Sequence, residues 1–272
     1  MVYDKKEKMN RALGINASCL PDLTEYDALD KIKTAGFETV FSEVSDLKTV
    51  CAIREKCDRL GLALEFLHAP FARINDFWCG GYDYLGIRDG IKSSIDSAAA
   101  AGVPIVIVHV SSGWFPPQVC DLGFARFDEL VEHAISKKVK IAFENLRKFG
   151  NHAVIMERYE TIPEVCFCYD CGHEHCYTET VDFLSIYGNR TLCTHIHDNF
   201  GRDKEDVFKD GDYHLLPFDG NIDYADMMAR IKKAGYTCSL MLEVYKRGIY
   251  KEMTDEDFLY TAYSRILKIS KL

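Results

Sequence analysis

The sequence predicts an α/β chain folded as a single (β/α)8 TIM barrel with its active site at the carboxyl ends of the strands. Three observations lead there. Apolar strand-like runs and helical runs alternate through eight pairs, and several helices close on a glycine just before the next strand. No linker, low-complexity segment or composition shift divides the 272 residues, a length that suits one such barrel of about 250 residues. Seven of the eight strands finish in a carboxylate or an imidazole.

Residues 1–10 read as a charged lead-in, and residues 11–272 as one barrel domain. The first strand is expected over 13–17. A helix over 22–35 follows, with Tyr26, Leu29 and Ile32 at helical spacing and Gly36 as its C-cap. Next come strand 37–43, helix 47–60 closed by Gly61, strand 62–68, and an alanine-rich helix 84–101 closed by Gly102. Strand 103–110 is almost continuously apolar and leads to helix 122–137. Strand 139–145 alternates, with Val139, Ile141 and Phe143 on one face and Lys140, Ala142 and Glu144 on the other. A short helix at 152–159, strand 165–170, helix 181–187 and strand 191–197 come next. Helix 222–234 capped by Gly235, strand 237–244 and helix 255–269 complete the chain. No Gly-x-Gly-x-x-Gly follows the first strand, which weighs against a dinucleotide-binding fold.

The composition excludes several function classes. Lys and Arg number 33 against 42 Asp and Glu, for a formal net charge of −9. That balance argues against broad attraction to nucleic acid. No apolar run is long enough to span a membrane, and residues 1–10 lack the apolar stretch of a signal peptide. The eleven cysteines have no framework-like spacing. They read as reduced thiols of a cytoplasmic protein. Cys166, Cys168, Cys171 and Cys176 read as small core residues, not as a metal cluster.

The strand ends carry the chemistry. They supply Glu43, His68, His109, Glu144, Asp170, His195 with His197, and Glu243. One such residue is ordinarily structural. Packing explains apolar strands but not a ring of carboxylates and imidazoles at one rim, where like charges repel unless a cation or shared protons intervene. The mixed nitrogen and oxygen set suits a divalent metal, Zn or Mn. Glu144, at the mouth of a buried strand, stands at its centre, because a bare buried carboxylate is costly.

These residues carry a resemblance to the xylose isomerase-like TIM barrel superfamily, which includes sugar epimerases, hydroxypyruvate isomerase and the endonuclease IV type of apurinic endonuclease (AP endonuclease family 2). The matching stretches are His68-Ala69-Pro70-Phe71, Val108-His109, Phe143-Glu144-Asn145, Asp170-Cys171-Gly172-His173, His195-Ile196-His197-Asp198, Asp212-Tyr213-His214, Leu216 to Asp223, and Met241-Leu242-Glu243. The likeness is strongest to sugar phosphate isomerases/epimerases. It implies a metal held by Glu144, Asp170, His195 and Glu243. His195 is preferred over His197 because the family's ligand stands three residues before an acidic residue, here Asp198. It further implies that Glu144 and Glu243 are the catalytic acid and base. His68, His109, His173, His197, Asp212 and His214 are further metal or substrate-binding candidates, and one to three ions are compatible with the set.

The resulting expectation is a metal-dependent isomerase/epimerase of a sugar or sugar phosphate, working by proton abstraction next to a carbonyl through a cis-enediolate. No lysine stands at a strand end, which weighs against a hydride shift. An apurinic endonuclease with up to three zincs, a lyase or dehydratase of the same superfamily, and a non-catalytic sugar-binding barrel are the competing readings. Arg147 and Arg202 are candidates for holding a phosphate or sugar, Trp78 and Trp114 for an aromatic wall, and Glu43 for a substrate contact. The long connection over 199–221 is expected to fold over the rim and deliver Asp212 and His214. A homo-oligomer is compatible with the sequence.

Overall fold

A computed structural model describes residues 11–272; the expected lead-in over 1–10 lies outside the described residues. The eight strands are β1 (Leu13–Asn16), β2 (Thr39–Ser42), β3 (Ala63–His68), β4 (Ile105–Val108), β5 (Lys140–Glu144), β6 (Val165–Asp170), β7 (Thr191–His195) and β8 (Leu240–Leu242). All neighbouring pairs are parallel, in the order β7-β6-β5-β4-β3-β2-β1-β8. The ends meet through a parallel bridge between Ile196 and Leu242. There Ile196 N donates to the Met241 carbonyl at 2.8 Å, and Glu243 N donates to the Ile196 carbonyl at 3.1 Å. This is the predicted (β/α)8 barrel.

Helices α1 (Glu25–Ala35), α2 (Leu47–Leu60), α3 (Leu85–Ala101), α4 (Asp121–Lys137) and α5 (Phe149–Arg158) follow the first five strands. Further along lie α6 (Cys171–Tyr177), α7 (Phe183–Tyr187), α8 (Tyr224–Lys233) and α9 (Asp255–Ile269). Their termini obey local chemistry. Thr24 caps α1 by accepting from Asp27 N at 3.1 Å, and Gly36 ends it in the left-handed region at φ 109°. Strands β2, β4 and β8 are shorter than the apolar runs that predicted them, since the flanking residues run on into the loops.

Helix α6 was not legible as a helix, because glycine in its sequence reads as a breaker. Asp170 nucleates it from the end of β6, its Oδ1 accepting from His173 N at 2.6 Å. Seven residues suffice once the first turn is capped in this way.

Alternation along the strands builds two cores. Ile141, Phe143, Phe167, Leu240 and Leu242 face the helices in the larger one. Phe41, Phe66, Ile107, Ala142, Cys168, Cys193 and Met241 fill the barrel interior. Each interior residue of β3 to β8 precedes a polar residue by two positions, so the same face that packs the interior presents His68, His109, Glu144, Asp170, His195 and Glu243 just above it. The apolar plug forms the floor of the site, with Phe41 stacked at 5.0 Å on His195 and at 4.9 Å on Phe66. All eleven cysteines are free, and Cys166, Cys168, Cys171 and Cys176 are buried, as expected of core residues. No described helix is long and apolar enough to cross a membrane.

Candidate metal centre

The strand ends converge on Glu144, which is buried at the mouth of β5. One carboxylate oxygen, Oε2, faces His109 Nε2 at 3.0 Å and His68 Nε2 at 3.3 Å. The other, Oε1, faces His195 Nδ1 at 3.1 Å and His173 Nδ1 at 3.2 Å. His195 Nδ1 also lies 3.3 Å from Glu243 Oε2 and 3.8 Å from Asp170 Oδ2. The side chains sort into three groups of donors. Glu144, Asp170, His195 and Glu243 form the first, His68, His109 and Glu144 the second, and His173, His197, Asp212 and His214 the third. Glu144 belongs to two of them. Within each group the donor atoms lie within 4.8 Å of one another.

His195 and His197 therefore take different places. His195 faces Glu144 and Glu243, whereas His197 turns its Nε2 to Asp170 Oδ1 at 3.1 Å and Asp212 Oδ1 at 3.6 Å. Six of the seven strand-end positions enter a donor group. Glu43 does not: it is exposed just beyond β2 and accepts from Ser18 Oγ at 2.8 Å and the Tyr245 hydroxyl at 2.7 Å.

Burial and opposite charge compete across the site. Burial opposes charge on Glu144, yet His195, His109 and His173 outweigh it and keep the carboxyl well below the usual range. Burial likewise opposes charge on His195, but Glu243 and Glu144 raise it to about 10. His214 is raised to about 9, chiefly by Asp212 and Glu243 against its burial. Among the described residues, His195 Nε2, His197 Nδ1 and Asp212 Oδ1 are buried with no hydrogen-bond partner. A buried donor set of imidazoles and carboxylates, partly unsatisfied, fits a divalent metal. Outer contacts orient the rings: His68 Nδ1 faces the Ala69 carbonyl at 2.9 Å, and His214 Nδ1 faces the Glu243 carbonyl at 2.9 Å.

The third group depends on α6 and on the connection over 199–221. Asp198 pins the base of that connection, pairing with Leu215 and accepting from Phe218 N at 2.8 Å. Its crest is tied down at Asp210, which accepts from the Tyr177 hydroxyl at 2.6 Å and from Arg147 at 2.9 Å. Asp212 follows two residues on and meets His173 Nε2 and His214 Nε2, each at 3.2 Å. His214 reaches its place at φ 49°, an uncommon angle for a residue with a side chain. Opposite, Gly172 lies so close under His197 that a Cβ there would sit 2.0 Å from the ring.

A cavity of about 530 Å³ opens above the donors, lined by Glu43, His68, His109, Glu144, His173, Asp212, His214 and Glu243, and by Phe71, Arg147, Tyr245 and Arg247. That volume suits a small molecule. Arg147 lines it while engaged to Asp210 and Tyr177. The remaining predicted contacts lie elsewhere. Trp78 is buried against Phe124 and Phe127 and donates Nε1 to the Val110 carbonyl at 2.7 Å, so it is a packing residue and not a sugar-facing wall. Trp114 and Arg202 stand outside the cavity lining, with the Arg202 guanidinium 5.3 Å from the Trp114 ring centre and donating to the Tyr177 carbonyl. Tyr177, Asp210, Tyr245 and Arg247 were not singled out from the sequence. The acidic run in the connection was the only signal for Asp210.

Fold and donor set together define a (β/α)8 protein that gathers nitrogen and oxygen donors able to hold a metal ion at the carboxyl ends of its strands. Residues 29–262 match the family described as xylose isomerase-like TIM barrel, and the chain belongs to that family. The protein y4fM of Sinorhizobium fredii is 35% identical over 167 residues, which cover 56% of this chain and 51% of the relative. The chain thus spans only half the length of that relative. Protein MJ1311 of Methanocaldococcus jannaschii is 24% identical over 269 residues, 88% of this chain and 86% of its own. Among solved structures, the IOLI protein with a bound zinc superimposes with a TM-score of 0.73 at 19% identity, over 96% of this chain and 98% of that one. The D-allulose 3-epimerase from Methylomonas sp., in complex with D-allulose, also gives 0.73, at 14% identity and the same coverages. At these identities the likeness to the two structures is one of fold.

Proposed function

We propose that the protein is a divalent-metal-dependent isomerase or epimerase of a sugar or sugar phosphate. The observation that carries this reading is the placement of Glu144 and Glu243. From β5 and β8 they approach His195 Nδ1 at 3.1 and 3.3 Å, at the floor of a sugar-sized cavity. Glu144, Asp170, His195 and Glu243 would hold the ion, Zn or Mn. The chemistry an ion supplies in such a site is Lewis acidity, which lowers the pKa of the proton on the carbon beside a carbonyl. The chain's own residues do the rest. One of the two glutamates takes the carbon-bound proton, and the other returns a proton to the neighbouring carbon or to the opposite face, through a cis-enediolate. His68, His109 and His173 line the cavity beside them and offer nitrogen atoms to the substrate hydroxyls. The apolar floor excludes water and strengthens each of these charges. Among the described residues no lysine lines the cavity, which supports proton transfer over a hydride shift.

A second reading is favoured by one observation, the additional donor groups that extend from Glu144 to His68 and His109 and onward to His173, His197, Asp212 and His214. Were these groups to hold ions as well, Glu144 would belong to the donor sets of two of them, and the residues would suit a multinuclear hydrolase of phosphate esters, of the apurinic-endonuclease kind. The net charge of −9 weighs against a nucleic-acid substrate. One experiment separates the readings. The metal-loaded protein should exchange solvent deuterium into the carbon next to the carbonyl of a ketose. Glu144→Gln and Glu243→Gln should lose that exchange while each retains an ion. Three ions per chain, nicking of abasic DNA and no deuterium exchange would establish the hydrolase instead.

A further inference from the structure

The far end of the cavity from the apolar floor carries an arginine with nothing to pair with. Arg247 lies in the loop after β8 and lines the cavity, and its side chain is exposed. Among the described residues, no carboxylate forms an ion pair with its guanidinium. The neighbouring cations each already have an acidic partner. Arg147 is engaged to Asp210 at 2.9 Å, Arg202 lies outside the lining and 3.5 Å from Glu179, and Lys246 is held by Asp255 at 2.5 Å. The nearby Glu43 accepts from Ser18 and Tyr245 through one carboxylate oxygen, Oε1, and among the described residues it makes no ion pair with Arg247.

Arg247 is also held in place. Its guanidinium carbon sits 4.6 Å from the centre of the Tyr245 ring, and the Tyr245 hydroxyl is fixed by its bond to Glu43 at 2.7 Å. An arginine stacked on an anchored aromatic ring loses less freedom when it binds than a free surface arginine does, and its planar fork suits an oxyanion. Nothing in the reaction proposed above uses a cation at this end of the cavity. The donors on the floor address the carbonyl and hydroxyls of a substrate, and a guanidinium at the mouth addresses a negative charge.

We infer that the substrate carries an anionic group, a phosphate or a carboxylate, at the end remote from its reacting carbons, and that Arg247 on its Tyr245 platform is the residue that selects it. This rests on the isomerase/epimerase reading of the site and narrows it to charged sugars.

The test is calorimetric titration of the metal-loaded, full-length protein with three probes that cannot be isomerised: D-glucitol, D-glucitol 6-phosphate and D-gluconate. At least one charged probe is expected to bind about tenfold more tightly than D-glucitol, in keeping with a charge-assisted bidentate contact. Whether the phosphate or the carboxylate carries the advantage identifies the anion. In Arg247→Gln the advantage should shrink to about twofold or less, the residue of a lost ionic contact. Equal or unmeasurable affinity for all three probes overturns the inference. So does an advantage that survives Arg247→Gln, which would place the anion on the metal ligands. No turnover is needed, so a failure of deuterium exchange with ketoses would remove the isomerase reading and leave this result standing.

Discussion

Gly172→Ala puts the tightest contact of the site under load. Judged as a helix residue alone, the change should help, since alanine is favoured over glycine by about 1 kcal/mol within a helix. Gly172 occupies the first turn of α6 with an ordinary negative φ, so no backbone strain opposes it. The added Cβ, however, would lie 2.0 Å from His197 Cε1 and 2.4 Å from both ring nitrogens. Ordinary contact requires a shift of about 1.4 Å. The ring has nowhere to go, because it is fully buried and stacked at 4.1 Å on His214. An approach of 2.0 Å to an immobile ring belongs in the upper part of the roughly 1–3 kcal/mol that overpacking costs, about 2–3 kcal/mol, which outweighs the helical gain. A net loss of about 1–2 kcal/mol in a chain of this length lowers Tm by about 2–4 °C. Moving the ring also draws Nε2 from Asp170 Oδ1, 3.1 Å away, and loosens a carboxylate of the first group, so metal affinity there should fall by about ten- to a hundredfold. Differential scanning calorimetry of the metal-stripped protein reads the first effect, and elemental analysis after dialysis reads the second. A Tm equal to or above that of the parent, with unchanged metal content, would refute the reasoning.

Two further outcomes follow from the same geometry. His152 is fully buried, edge-on to Phe167, Phe183 and Tyr187, and burial pushes its imidazole down to about 4. It is neutral in the fold but takes up a proton in the unfolded chain below about pH 6.5, so stability is lost as pH falls from there towards 4, by about 2–3 kcal/mol. His152→Phe should flatten that slope in urea unfolding at pH 7 and pH 4.5, and equal slopes in the two proteins would exclude it. Asp210→Ala removes the acceptor shared by Tyr177, Arg147 and Asp212 N. Because Asp210 is exposed, the loss should be about 1 kcal/mol, read as roughly fivefold faster amide hydrogen exchange over the connection around it. Unchanged exchange would mean that the crest is held by other contacts.

Much of this was legible because a barrel strand obeys a period of two. Once Ala142 is assigned to the interior, Glu144 must point the same way, and Cys168 and Asp170, Cys193 and His195, and Met241 and Glu243 follow the same rule. The third donor group was legible only in part. Asp212 and His214 stood out as a motif, but nothing local announced that Gly172 would sit against His197 or that α6 would exist. Both depend on a capping bond and on a contact between segments far apart in sequence. Trp78 was misplaced for a similar reason: its seat is made by Gly123 of α4, where a Cβ would meet the indole at 2.1 Å. Arg247 left no trace, since a single arginine in a loop has no pattern. Its meaning lies in the absence of a partner, which only the fold reveals.

The seam between β7 and β8 bears on how the chain is made. Strand β8 pairs with β1, and Val244 N reaches back across 228 residues to Asn16 Oδ1 at 3.0 Å. A nascent chain can lay down β1 to β7 in order, yet it leaves the ring open until residues near 240 leave the ribosome. Glu243 follows directly on the closing strand and completes its donor group. The cylinder and this donor group are thus completed by the same stretch of chain, and no product that stops short of residue 243 contains the full set.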